Sequence, residues 1–221
     1  LRSTRIYRGF AEAIAEYCPK TWVLNFTNPM TVCTRSLYAV FPKVKAYGCC
    51  HEVFGTQSFL GMLAADRLGI PVPPREEIQI NVLGINHFTW FTGAQYRSHD
   101  LVELLRRHVR TPEAQRRYTK AGILRTSKSV FSGKRRVAFE LMRRFDVVAA
   151  AGDRHLAEFV PWFLTGPESC YTWGFRMTPY SHRIHRWHEA PKIFRRQMAG
   201  KLPYAIKKSG EEYINQIAGL V

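Results

Sequence analysis

Between Thr21 and Leu68, short apolar runs alternate with segments of helical period, and this alternation restricts the fold more than any other feature. Thr21 to Phe26 reads as a strand. Pro29 opens a helix through Tyr38, Val44 to Cys49 reads as the next strand, and Val53 to Leu68 as the next helix. Proline is tolerated in a first helical turn, where its missing N–H has no partner to lose. This order predicts an α/β fold with a parallel sheet and helical crossovers. In open sheets of this kind, ligands bind beyond the carboxyl ends of the strands. Those ends carry Thr27-Asn28-Pro29 and Cys49-Cys50-His51-Glu52.

The flanking regions read more coarsely. Ile6, Phe10 and Ile14 recur at four-residue spacing, which predicts a helix face over Ile6 to Tyr17, stopped by Pro19. Gly69 to Arg75 is rich in turn formers and serves as the expected domain boundary. Ile78 to Ile85 reads as a strand that delivers Asn86 and His87. From Asp100 onward the pattern is mainly helical: Leu101 to Val109, Pro112 to Lys120, Arg136 to Phe145, Leu156 to Leu164, Glu189 to Ala199 and Ser209 to Leu220. Glu168 to Arg183 reads as a structured loop.

Bulk properties exclude some classes. The 221 residues, 46% apolar, suit one large domain or one and a half smaller ones. No apolar run reaches the roughly 18 residues of a membrane-spanning helix, and no signal-peptide pattern is visible. The chain begins at Leu1 in a helical pattern and ends at Val221 in another, so it reads as an internal part of a longer protein. Five cysteines, two of them adjacent, make a poor disulfide framework and fit a reducing cytoplasm. The net charge of +16 comes largely from basic pairs on helix-like segments. These are not interleaved with aromatics as nucleic-acid stacking platforms are, so solvated helix faces are the expected reading and neither nucleic acid nor membrane is an expected partner. Attraction of an anionic substrate is also compatible with this charge.

Two motifs concentrate the chemistry: Gly48-Cys49-Cys50-His51-Glu52-Val53-Phe54-Gly55 and Gly84-Ile85-Asn86-His87-Phe88-Thr89-Trp90. A Cys50 thiolate and a His87 imidazole both suit a divalent transition metal. Two such ligands cannot close a structural zinc site, but they can hold a catalytic metal with positions left for substrate and water. A buried cysteine and a hydrogen-bonded core histidine are the plainer alternative. Asn28 and Asn86 are either turn formers or amides facing the ligand crevice. His51 is a general acid or base, or a capping residue, and Glu52 serves the helix dipole. Asp153, Arg154, His155 and Glu158 gather at a helix start, as a cap with a solvated face or as part of a site.

Taken with His155-Leu156-Ala157-Glu158-Phe159, these strings in this order resemble the family 4 glycoside hydrolases. The resemblance runs clearly over residues 1 to 165, and Ser-Gly-Glu-Glu at 209 to 212 agrees with it. It implies a fold like that of lactate and malate dehydrogenases: residues 1–74 as the C-terminal part of a Rossmann-type NAD-binding domain, and 75–221 as a mixed α+β catalytic domain. The glycine loop of the nucleotide fold is expected outside this chain, so residues 1–221 alone are expected to be inactive. The implied cofactors are NAD and a divalent metal, usually manganese. Matched residue by residue, Cys50 and His87 fall on the metal ligands, and Asn28 and Asn86 on positions lining the sugar.

The implied reaction departs from the usual two-carboxylate scheme. Hydride leaves C3 of the sugar for NAD, a base removes the acidified C2 proton, the aglycone leaves C1, water adds and the hydride returns. His51, Asp153 and His155 are the candidate catalytic groups. His51 after the metal cysteine, in Cys-His-Glu-Val-Phe-Gly, resembles the branch acting on unphosphorylated sugars, and most closely its α-galacturonidases. A uronate carboxylate suits a bidentate arginine, with Arg154 or Arg176 as candidates. The alternatives are an α-galactosidase or α-glucosidase of the same family, a 2-hydroxyacid dehydrogenase, which has no need of a thiolate-bound metal, or a basic binding module without catalysis. A small-molecule glycoside is the expected partner, and a homodimer or homotetramer the expected assembly.

Overall fold

The computed structural model describes residues 2–203 except 128 and 130; the expected helix at 209–220 lies outside them. The chain divides into two compact units, the second beginning at Glu52.

In the first unit, helix α1 (Arg2–Tyr17) precedes strand β1 (Trp22–Asn25), helix α2 (Met30–Val40) and strand β2 (Lys45–Gly48). Strands β1 and β2 pair in parallel, with Trp22 opposite Lys45 and Asn25 opposite Gly48. Helix α2 is the crossover that a parallel pair requires. The core gathers Ala11, Leu37, Val44 and Ala46, with Tyr7, Ile14 and Val23 packed against them. The face predicted for α1 is therefore rotated: Ile14 packs inward, but Ile6 and Phe10 are more than half exposed. Ala11 is the fully buried position, because a small side chain lets the helix approach closely.

In the second unit, helix α3 (Glu52–Leu68) leads through a turn-rich segment and a 3-10 turn (Arg75–Glu77) to strand β3 (Gln79–Ile85). A two-residue turn, Asn86-His87, returns the chain as strand β4 (Phe88–Tyr96), antiparallel to β3 with Ile85 opposite Phe88. The register shifts at Asn81/Val82, leaving Thr92 as the extra residue of a bulge. Strand β5 (His99–Asp100) pairs with the end of β4, and strand β6 (Val148–Ala149) pairs with its middle. The sequence reading missed β4, because its turn lacks the Asn-Gly or Asp-Gly signal of tight hairpins.

Helices α4 (Leu101–His108), α5 (Lys120–Thr126), α6 (Arg136–Phe145), α7 (Asp153–Phe159), α8 (Ser169–Thr172) and α9 (Tyr180–Met198) complete the unit. Asp100 caps α4 by accepting from the amides of Val102 and Glu103, and Thr119 caps α5 by accepting from Gly122. Three expectations, two helices and a loop, need correction. Pro112 to Lys120 forms turns, with the helix starting only at Lys120. The helix expected over 156–164 is shifted to Asp153–Phe159. The expected loop at 168–183 contains α8 and the start of α9, which runs unbroken through Pro191. The core of this unit has two parts. One joins Leu60, Leu63 and Ala64 of α3 to Phe91, Ala94, Leu101 and Met142; the other gathers Val137, Leu141, Leu156, Phe163 and Phe175.

Candidate active site

In the first unit, the carboxyl end of β1 is organised by a residue the sequence reading passed over. Asn25 is 3% exposed and fully engaged. Its Oδ1 accepts from Tyr7 Oη at 2.7 Å and from the Thr27 amide at 3.0 Å. Its Nδ2 donates to the Met30 carbonyl, the Thr34 hydroxyl and the Thr27 carbonyl. A buried amide is retained only when its donors and acceptors are met, so Asn25 sets the path of the loop that carries Asn28. Asn28 is exposed, and its Oδ1 accepts from the Met30 amide at the start of α2.

At the end of β2 the Cys49 amide donates to the Asn25 carbonyl at 2.9 Å. Gly48 lies close to α2: a Cβ there would meet Met30 Cγ and Thr34 Oγ1 at 3.0 Å, a tight contact that their side chains would have to relieve. Cys49 and Cys50 are half-buried, and neither is in a disulfide. Burial first, and the neighbouring Cys50 second, push the Cys49 thiol above its ordinary pKa, which leaves Cys49 a poor thiolate. His51 is exposed in the turn before α3.

In the second unit, three segments converge. The β3–β4 turn presents His87 with a left-handed φ of 63°, a conformation rare for residues other than glycine and found where surrounding structure enforces it. The His155 ring, from α7, stacks on the His87 ring with centroids 3.9 Å apart and planes inclined by 13°. Glu52, at the start of α3, accepts from the Gly152 amide through Oε1 at 3.2 Å, and the same oxygen lies 3.7 Å from His155 Nε2. His155 Nδ1 lies 3.3 Å from Glu158 Oε2. Glu52 and His87 offer ligand atoms within 4.8 Å of one another. The second Glu52 oxygen is buried without a hydrogen-bond partner. A carboxylate oxygen left unmet beside an imidazole is a donor set that suits a divalent cation. Cys50 stands two residues before Glu52 in the chain.

The remaining candidates take other places. Asp153 is 5% exposed, and its Oδ1 accepts from the amides of Val137 and Ala138, both at 3.1 Å. It thus caps α6 from a distance in sequence. Burial pushes its carboxyl up to about 6, against the pull of those amides and of Arg135. Arg154 donates to Thr178 Oγ1 at 2.9 Å, and its guanidinium lies 4.9 Å from the centre of the Phe131 ring. Arg176 is half-buried, with Nε lacking a partner. Asn86 is half-buried in the hairpin turn. Among the predicted residues, the second unit therefore brings His87 and His155 together, and adds Glu52, which the sequence reading assigned to the helix dipole. The available signal was its place in the motif that carries Cys50.

Known proteins resemble this chain over its whole length. The family 4 glycosyl hydrolase pattern matches residues 1–65, and the family 4 glycosyl hydrolase C-terminal domain matches residues 82–221. Proteins named alpha-galacturonidase from Bacillus subtilis and Thermoanaerobacterium saccharolyticum are 47% and 43% identical over 100% of this chain, which covers 49% and 48% of their length. The chain thus spans about half the length of the curated relatives it matches. A solved Bacillus subtilis protein superposes with a TM-score of 0.80 at 45% identity, over 98% of this chain and 49% of that one. A 6-phospho-alpha-glucosidase from gut microorganisms, solved with NAD and Mn2+, superposes with a TM-score of 0.57 at 17% identity, over 99% of this chain and 47% of that one; this likeness concerns the fold. With the motifs, the fold and both patterns in agreement, the chain belongs to the family 4 glycosyl hydrolases.

Proposed function

We propose that this chain is part of an α-galacturonidase, which hydrolyses α-linked uronides by oxidation at sugar C3, proton removal at C2 and elimination at C1. One observation carries the substrate class. The chain is 40–47% identical over its whole length to four proteins named alpha-galacturonidase, against 19–28% over part of it for proteins named alpha-galactosidase or alpha-glucosidase. Residues 1–74 are taken as the C-terminal part of the NAD-binding domain and 75–221 as catalytic domain. A small-molecule uronide is the proposed partner and a homodimer or homotetramer the proposed assembly. A cytoplasmic location is proposed because none of the five cysteines is in a disulfide. Among the described residues, no helix is long and apolar enough to cross a membrane.

Cys50 and His87 are the proposed metal ligands, and the unmet oxygen of Glu52 beside His87 supports a cation there. When bound, NAD would take and return the C3 hydride, and a divalent metal such as manganese would stabilise developing oxyanion charge as a Lewis acid. The protein's own part is proton handling and orientation. His155 is the preferred proton carrier, because Glu52 and Glu158 face its two nitrogens and fix its ring against His87. Asp153 holds the start of α6, and through Val137 and Ala138 it steadies the wall behind α7. Asn28 and Asn86 are proposed to line the sugar, Arg154 to meet the uronate carboxylate, and His51 to assist proton transfer at the aglycone.

The test uses the full-length protein, reduced, with an aryl α-galacturonide in D2O, with and without NAD and manganese. Release that needs both cofactors, with deuterium at product C2, is the expected result. Cleavage of only α-galactoside or α-glucoside moves the substrate class. Oxidation of a hydroxy acid with no glycoside cleavage overturns the reading.

A further inference from the structure

The start of α6 runs against the electrostatics of a helix. A helix N-terminus carries about half a positive charge and favours anions, yet Lys134, Arg135 and Arg136 stand there in succession. Arg135 occupies the N-cap in the left-handed region, at φ 56°, where a glycine, serine or aspartate is expected. The first free amides of the helix are already taken by Asp153. Natural sequences break local rules of this kind mainly at functional sites.

All three cations line one cavity of about 610 Å³ within the second unit, walled by the rings of Phe59, Tyr118 and Phe139. None of Glu52, His87 or His155 lines it. Its two carboxylates, Asp66 and Glu113, both face Arg67, at 3.4 and 3.8 Å. Arg136 is only 5% exposed; it gives one N–H to the Ala114 carbonyl, and its Nε has no partner. A guanidinium so deep with a donor unspent has lost hydration that the protein does not return. Arg135 donates to Thr56 Oγ1 at 3.0 Å and to the Gly55 carbonyl at 2.9 Å, and lies 4.3 Å from the centre of the Phe59 ring, so its plane is held in place.

We infer that this cavity is a second binding site, for a small organic oxyanion whose carboxylate or phosphate meets Lys134 and Arg136 and whose body packs on Phe59 and Phe139. The volume falls in the range of small-molecule pockets, roughly 300–1,000 Å³, and far exceeds an inorganic ion. Guanidinium forks accept either oxyanion, and the experiment distinguishes the two.

Isothermal titration is run on the intact protein carrying His87→Ala and Arg154→Gln, which remove the proposed metal ligand and the proposed uronate contact of the catalytic cluster. Inorganic phosphate and D-galacturonate are the probes. At least one is expected to bind, with affinity falling about tenfold or more on adding Lys134→Gln or Arg136→Gln. Binding of phosphate alone identifies a phosphorylated ligand, and binding of galacturonate alone a sugar acid; either supports the site. Lys134 has a half-exposed side chain, so Lys134→Gln is the safer variant for folding and is the deciding one. No binding of either probe, or affinity that survives Lys134→Gln, overturns the proposal whatever the glycosidase assay shows.

Discussion

At the scale of single residues, buried polar groups do the organising. Asn25 makes five side-chain hydrogen bonds to four residues, so Asn25→Ala leaves several of those groups unpaired in the first unit. We expect a loss of about 2–3 kcal/mol in chemical denaturation; a loss below about 0.5 kcal/mol would mean that water replaces the amide. Asp153 gives a pH signature. Its carboxyl is raised from 3.8 to about 6 by burial, so the fold prefers the protonated form. That preference contributes in full below pH 3.8 and is lost as pH rises through about 6, a difference of about 3 kcal/mol at most. Asp153→Asn keeps the Oδ1 acceptor and is expected to flatten the fall in stability across that window, read as the difference between variant and parent. The two adjacent thiols are also expected to differ. Manganese should slow alkylation of Cys50 by iodoacetamide and leave Cys49 unchanged, as followed by peptide mass spectrometry; equal Cys50 rates with and without metal would remove it from the ligand set. None of these roles for Asn25 or Asp153 was legible in the sequence, because their partners lie in turns and helices whose approach no local pattern encodes. Cys50 and His87 were legible as chemistry, because soft donors at strand ends stand out from an apolar background.

At the scale of elements, the hairpin β3–β4 carries the site by presenting His87. Gly84 has φ 121°, and a Cβ there would lie 2.5 Å from the Phe88 carbonyl oxygen. Gly84→Ala is expected to destabilise the second unit by about 2–3 kcal/mol. Gly93→Ala, with nothing within 4 Å of its Cβ, is the control and should be near neutral in the same urea titration. Elements with strong period were legible: α1, α2, α3, α4, α6, β1, β2 and β3 lie within about four residues of their expected bounds. The others were not, for identifiable reasons. Strand β4 follows a turn without glycine, and β5 and β6 are two residues each, too short for any periodicity. Helix α9 is legible from Glu189 on, but its start falls within 168–183, whose Tyr, Trp, Gly and Pro read as loop.

At the scale of the whole molecule, 33 basic side chains face 17 acidic ones. Local pairs such as Arg106 with Asp146, and Arg143 and Arg144 with Glu140, offset part of the positive charge but leave the net excess unchanged. That excess repels itself and destabilises the compact state. The thermal midpoint is therefore expected to rise as sodium chloride goes from low concentration to about 0.15 M, where the screening length is about 8 Å; a falling midpoint would show that the ion pairs outweigh the repulsion. The sequence by itself determined the α/β class, the parallel pair with its crossover, the strand-end donors and the family, since all of these follow from local periodicity and from short strings of chemically distinctive residues. The tertiary structure alone decided that His155 stacks on His87 under Glu52, that Asp153 caps a helix 15 residues earlier, and that Arg136 keeps an unpaired donor in an aromatic-walled cavity. These depend on which side chains meet after the chain has packed, and on which polar groups lose water without gaining a partner, quantities that exist only once the core has formed.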